Sequence, residues 1–204
     1  MKYWEAIGLA KAFVLSWFLI AFALSVTGWL ERFSSATLFG IGSVVSLSGF
    51  TILHRLSTSF RDYTRTRGLK GLTRTQVLRL YGLLAIVKSN QQILPALFGI
   101  PTGIMDIVIA TTSFYAAARL VSPSGRPRPG FFAWHVAGLA TLGISAVLAI
   151  LTSSTRFDLV KDGITSQPLT WFPMSLVPTF IGPFVLVCHL LAIVTAHHLK
   201  SHPE

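Results

Sequence analysis

Residues 131–152 read FFAWHVAGLATLGISAVLAILT, a run with no Lys, Arg, Asp or Glu. A bilayer core of about 30 Å needs about 20 predominantly apolar residues in a helix, so this stretch alone reads as a transmembrane helix. Five more runs meet the same test: 7–30, 35–53, 77–98, 103–121 and 173–197. The composition agrees. Of 204 residues, 52% are hydrophobic and 12% charged, with a mean hydropathy of +0.64. A soluble domain carries about 25% charged residues, so a water-soluble globule is excluded. Disorder is excluded too, because it requires low hydrophobicity and high net charge. No long charged or Gly/Ser-rich linker divides the runs. The chain therefore reads as one integral membrane domain over 1–204, an all-α polytopic transmembrane bundle of six helices.

Orientation follows from where the basic residues fall. The net charge is +10. In a soluble protein that balance suggests nucleic acid; here the positive charges sit in short loops between apolar runs, where they act as a topology signal. The loop 54–76 holds Arg55, Arg61, Arg65, Arg67, Lys70 and Arg74, with Arg79 just beyond it. The loop 122–130 holds Arg126 and Arg128, flanked by Arg119. In a six-helix chain both loops lie on one side, together with Lys2 and Lys200. Only Arg32, Arg156 and Lys161 fall on the other. The reading is N-in and C-in, in the cytoplasmic (inner) cell membrane, with no nucleic-acid partner. The basic loop 54–76, with its spaced Leu, Phe and Tyr, is suited to lie on anionic lipid.

Several local signals refine this picture. Lys2 and Lys11 ahead of the apolar run Ala12–Val26 have the outline of a signal peptide. The length of 7–30 and Trp29 at its end favour a retained helix. Thr73-Arg-Thr-Gln76 fits a capping box that would start the third helix. Ala137, Thr141, Ser145 and Ala149 recur every four residues on the fifth helix, and Gly42 and Ser46 do so on the second. Such stripes allow close helix contact, read here as intramolecular packing, with a homodimer or membrane partner as the alternative. Pro173 suits the start of the sixth helix. Pro178 and Pro183 should kink it, and the carbonyls they free need other partners. Cys188 is the one cysteine, so it forms no intrachain disulfide; it reads as a small hydrophobe.

Ionisable groups inside spans are costly and become candidates for function. Lys88 lies inside the third run, within Lys88-Ser-Asn90-Gln91-Gln92. Asp106 lies just after the expected turn at 99–103. A snorkelling Lys88 reaches toward Asp106, with Asn90, Gln91 and Gln92 as further hydrogen-bonding groups. The pair reads either as a structural clamp or as a polar site for an anion, proton or head group; a small transporter or proton-coupled carrier would use the latter. His135 and His189 fall at similar depths on the fifth and sixth helices. Two histidines on facing helices are able to ligate haem or a metal. No His-x-x-x-His or Glu-x-x-His spacing accompanies them within the membrane, so no cofactor is expected, with haem the alternative. His197, His198 and His202 read as a solvated tail. No P-loop, Gly-x-Ser-x-Gly or His-Glu-x-x-His is present, and Asp106 is the one acid clearly within a span. The sequence points to binding or transport rather than catalysis.

Three short patterns then stand out. Pro101-x-Gly103-x-x-Asp106 opens the fourth helix, Trp134-x-x-x-Gly138-Leu139 opens the fifth, and Pro178-Thr-Phe-x-x-Pro183 precedes His189-Leu190-Leu191. Over roughly Arg79 to Leu191 the chain resembles a group of small, uncharacterised bacterial multi-pass membrane proteins. It departs from that group in lacking an acid after Gly138-Leu139. The resemblance implies a membrane fold, carries no activity, and draws attention to Asp106 and His189. The expected role is an integral membrane protein that binds a lipid, a small ligand or a membrane partner through the kinked sixth helix.

Overall fold

The computed structural model of the protein describes residues 3–63, 68–153 and 163–201. Lys2, Arg65, Arg67, Arg156, Lys161 and His202 lie outside the described residues. Helix α1 spans Tyr3–Val26 and α2 spans Ser35–Leu56, joined through a left-handed Gly28 and a short 3-10 turn at Trp29–Arg32. Ser34 caps α2 by accepting a hydrogen bond from the Thr37 N–H at 3.1 Å. After a short helix α3 (Thr58–Tyr63), α4 (Leu69–Arg74) runs into a 3-10 stretch (Thr75–Tyr81) and then α5 (Gly82–Asn90). Helices α6 (Ala96–Arg119), α7 (Phe131–Leu151) and α8 (Gly182–Ser201) follow; a π-helical turn at Val177–Ile181 leads into α8.

Among the described residues, five helices are long and apolar enough to cross a membrane: Gly8–Val26, Ser35–Leu56, Ala96–Arg119, Phe131–Leu151 and Val177–Ser201. By length and composition they are the helices of a membrane protein. The third expected span, 77–98, is not one uniform helix. It is the compound run from Leu69 to Asn90, whose backbone stays right-handed helical through both junctions. At 1.5 Å per α residue and 2.0 Å per 3-10 residue it is roughly 36 Å long, so it too passes from end to end of the bundle. Leu69 packs at one end with Val121, Phe131, Ala192 and Ala196. Leu94, just past the run, packs at the other with Phe98, Ala149, Leu169 and Met174. The start of α4 thus lies at the same end of the bundle as the 122–130 connection between α6 and α7, and much of the stretch expected as the loop 54–76 is helical.

Two sequence expectations fail here for identifiable reasons. Thr73 and Gln76 do not form a capping box, because the helix is already under way: the Thr73 hydroxyl donates to the Leu69 carbonyl at 2.7 Å, and the Gln76 amide donates to the Val185 carbonyl at 3.2 Å. The turn expected at 99–103 lies instead at 91–95. Gln92 adopts φ 57°, its N–H reaching the Ser89 carbonyl at 3.0 Å while the Ile93 N–H reaches the Lys88 carbonyl at 2.9 Å. That pair of bonds is a Schellman motif, which ends a helix and usually has glycine at the left-handed position. Pro95 then precedes α6. Pro101 sits in the second turn of α6 and costs only the bond to the Leu97 carbonyl; the pattern Pro101-x-Gly103-x-x-Asp106 lies inside a helix and does not open one.

The proline-rich entry to α8 shows how freed carbonyls are satisfied. Pro183 has no N–H to give to the carbonyl of Thr179, four residues earlier. Trp17 of α1 supplies it, its indole N–H donating to the Thr179 carbonyl at 3.1 Å. The indole ring packs on Phe180 with centroids 4.7 Å apart. Gly42 lets α2 approach the same place: a Cβ on it would stand 2.7 Å from the Thr179 oxygen and 2.8 Å from Pro183 Cγ. The small residues of α2 therefore serve packing within the chain. Replacing Trp17 by Phe keeps most of the ring contact but leaves a buried carbonyl without a donor. We expect that change to cost about 1–3 kcal/mol, read as a lower thermal unfolding midpoint in detergent; an unchanged midpoint would contradict the assignment.

Candidate functional site

The middle of the bundle is polar. Along the third helical run the buried positions include Thr73, Gln76, Arg79, Gly82 and Ala85, a spacing of three. A 3.6-residue helix would rotate Thr73 and Arg79 apart by roughly two thirds of a turn. The 3-10 stretch, with three residues per turn and side chains eclipsed at i and i+3, stacks Gln76 and Arg79 on one inward face. Local backbone geometry thus carries three polar side chains into the core.

Arg79 and Asp106 form an ion pair with both side chains at 0% exposure. The Arg79 Nε–H donates to Asp106 Oδ1 at 2.8 Å and Nη2 donates to the same oxygen at 2.5 Å. Nη1 donates to the Gly138 carbonyl at 3.0 Å, and Nη2 also to the Thr141 hydroxyl at 2.7 Å. One guanidinium therefore ties the third helical run to α6 and α7. The phenol of Tyr81 lies beside the same carboxylate, while Asp106 Oδ2 makes no hydrogen bond of normal geometry. The close approach depends on glycine. A Cβ on Gly82 would lie 2.7 Å from Asp106 Cβ and 2.7 Å from the Gly103 carbonyl.

This geometry corrects the expected Lys88–Asp106 pair. Lys88 lies near the end of α5, and its Nζ donates to Gln91 Oε1 at 3.2 Å. Asn90, Gln91 and Gln92 are exposed at the helix end and in the turn. Because α6 starts at Ala96, Asp106 lies deeper than expected, level with Arg79 and out of reach of Lys88. Arg79 reads from sequence as the last member of a basic loop. The signal that could have singled it out is its place in the period of three with Thr73, Gln76 and Gly82.

His135 of α7 and His189 of α8 do meet, Nδ1 to Nδ1 at 2.8 Å, both fully buried. Their tautomers follow from the network. The Thr73 hydroxyl gives its one proton to the Leu69 carbonyl, so at 3.2 Å it accepts from His135 Nε2–H. His135 Nδ1 is then the acceptor and His189 Nδ1–H the donor. That leaves the lone pair on His189 Nε2 buried and without a partner. The ring edge bearing it presses on Gly138, where any Cβ would collide with the imidazole. The two rings meet edge-on and hydrogen-bond directly to each other. Among the described residues no group of three or more His, Cys, Asp or Glu is placed to hold a metal.

Beside the ion pair lies a cavity of about 110 Å³. Tyr81 and Thr102 line it, as do Ser35 of α2, Ser145 and Ala146 of α7, and Pro178 and Gly182 at the bend into α8. Most of the wall is apolar. Ser35 Oγ and Thr102 Oγ1 are buried hydroxyls without partners. The cavity lies toward the end of the bundle that holds Phe98, Leu169 and Met174, away from the basic loops.

Fold and site define an all-helical bundle of membrane-spanning apolar helices built around a buried charge pair. The chain belongs to the family described as a domain of unknown function, DUF8737, whose profile matches residues 36–196. The match runs from α2 into α8 and includes every residue of the polar core; α1, with Trp17, lies outside it. No curated protein matches the chain, and no solved structure does.

Removing one partner of a buried pair strands the other charge, which costs about 3–5 kcal/mol. Arg79→Met and Asp106→Ala should each lower the unfolding free energy by that scale, and the thermal midpoint with it. Lys88→Met should stay within about 0.5 kcal/mol of the parent, as surface changes do. Thermal unfolding of the three variants checks this; an equal loss in Lys88→Met would restore the pairing read from sequence.

Proposed function

We propose that this protein is a non-enzymatic integral membrane protein of the bacterial cell membrane, N-in and C-in, that binds a small, largely apolar ligand in the cavity beside Tyr81. The observation that carries the reading is the pair of unpartnered hydroxyls, Ser35 and Thr102, in an otherwise apolar cavity at the bend into α8. Ligand sites have this character: apolar walls with a few placed polar groups that orient the ligand. At about 110 Å³ the cavity is smaller than a drug-sized site and nearer the volume that takes a molecule like benzene, so the matching ligand is a small hydrocarbon body of that size with one or two hydrogen-bonding groups. With both termini inside, the cavity opens in the outer half of the bilayer.

Asp106 does not act as a catalytic acid or base in this reading. Its Oδ1 is held by Arg79, and Tyr81 stands between the pair and the cavity. A second reading, a proton-coupled carrier, draws support from that same contact, because a ligand touching Tyr81 would touch the residue that lies against the charge pair. The two readings separate on flux: a folded Asp106→Asn variant keeps ligand binding in both, and loses transport only in the second.

Native mass spectrometry of the intact chain released from nanodiscs of its own host lipids tests the proposal. The wild type should carry a discrete added mass, weaker in Thr102→Val and absent in Ala146→Phe, which fills the cavity. A bare chain mass in the wild type, or an added mass retained by folded Ala146→Phe, would contradict it.

A further inference from the structure

A second space lies on the opposite side of the entry to α8. A cleft of about 530 Å³ runs between α1, α4 and α8, within the range of about 300–1,000 Å³ usual for ligand sites. Its walls are apolar, with Leu15 and Phe18 from α1, Leu72 from α4, and Phe180 and Phe184 beside them. Gly68 and Gly71 line it. A Cβ on Gly71 would meet nothing within 4 Å. The cleft is far too small for a partner's transmembrane helix, which is about 10 Å across and about 30 Å long. A hydrocarbon chain suits both its size and its walls.

The charge at its edge narrows the choice. Lys11 lines the cleft and is exposed. It lies four residues into the spanning stretch Gly8–Val26, at the depth where lysines meet head groups. Lys70 and Arg74 stand on α4 at the same end of the bundle. The only ion pair among the described residues is Arg79–Asp106, so none of these three cations has a carboxylate partner there. We propose that this cleft binds an anionic glycerophospholipid, with one acyl chain along the wall between α1 and α8 and the phosphate against Lys11. This site is separate from the cavity beside Tyr81, and neither reading depends on the other.

The test uses the full chain in vesicles containing a phosphatidylglycerol with a diazirine in its acyl chain. A phosphatidylcholine with the same chain serves as the control. Photolysis should place crosslinks on Leu15, Phe18, Phe180 and Phe184, with phosphatidylglycerol well above phosphatidylcholine. Lys11→Gln should lower the phosphatidylglycerol yield by about fivefold, the scale of one basic group at an anionic surface, and leave phosphatidylcholine unchanged. Gly71→Phe should remove the cleft crosslinks for both lipids. Equal yields for the two lipids in the wild type would overturn the proposal, as would a Lys11→Gln yield equal to the parent's. Crosslinks that persist on those residues in folded Gly71→Phe would do the same. Should Gly71→Phe fail to fold, the Lys11→Gln comparison decides alone.

Discussion

Arg79 and Asp106 meet inside the bundle with no solvent contact, and a buried charge in an apolar medium persists only when it is paired and hydrogen-bonded. That requirement organises the neighbourhood. The guanidinium makes four hydrogen bonds, to Asp106 twice, to the Gly138 carbonyl and to Thr141. These partners lie on two other helices, so α6 and α7 must both come close to the third helical run. Gly82 and Gly103 permit the first approach, and Gly138 exposes its carbonyl for the second. The 3-10 geometry of Thr75–Tyr81 then makes sense as the local conformation that turns Gln76 and Arg79 to one face.

The same accounting holds at both ends of this polar layer. Toward the basic end, Thr73, His135 and His189 form one chain that runs out at the Leu69 carbonyl. Toward the other end, the proline-rich entry to α8 frees the Thr179 carbonyl and Trp17 answers it. Without water in a bilayer core, each such group needs a partner within the protein. The network is therefore a structural frame. The frame itself leaves acceptors unpartnered at Gln76 Oε1, Asp106 Oδ2 and His189 Nε2, whereas the cavity beside Tyr81 is walled by unpartnered hydroxyls, those of Ser35 and Thr102.

Much of the fold was readable in the sequence. Long apolar runs marked the helices, because a bilayer sets their length. The packing of Leu69 and of Leu94 marks the two ends between which these runs pass. His135 and His189 were placed at similar depths in their spans from sequence, and the structure brings their rings into contact. What escaped was conformational. Gln92 in a left-handed position carries no signature comparable to glycine, so the turn was placed about eight residues late, around Pro101. That shift moved Asp106 toward the surface and toward Lys88. Arg79 was hidden by its company, one more cation after a basic loop. A buried face with a period of three is invisible to a reading that expects 3.6. The cavity's unpartnered hydroxyls could not be recognised either, because Ser and Thr in a span usually bond to their own helix.

The central claim is that Arg79 and Asp106 act as one unit that holds three helical elements together. A double-mutant cycle measures this directly, using the unfolding free energies of Arg79→Gln, Asp106→Asn and the double variant in one detergent. Contacting buried partners show coupling of about 0.5–3 kcal/mol. We predict coupling at the upper end of that range, with the double variant more stable than the sum of the single losses implies. Losses that simply add would show that the two residues do not depend on each other, and would contradict the account.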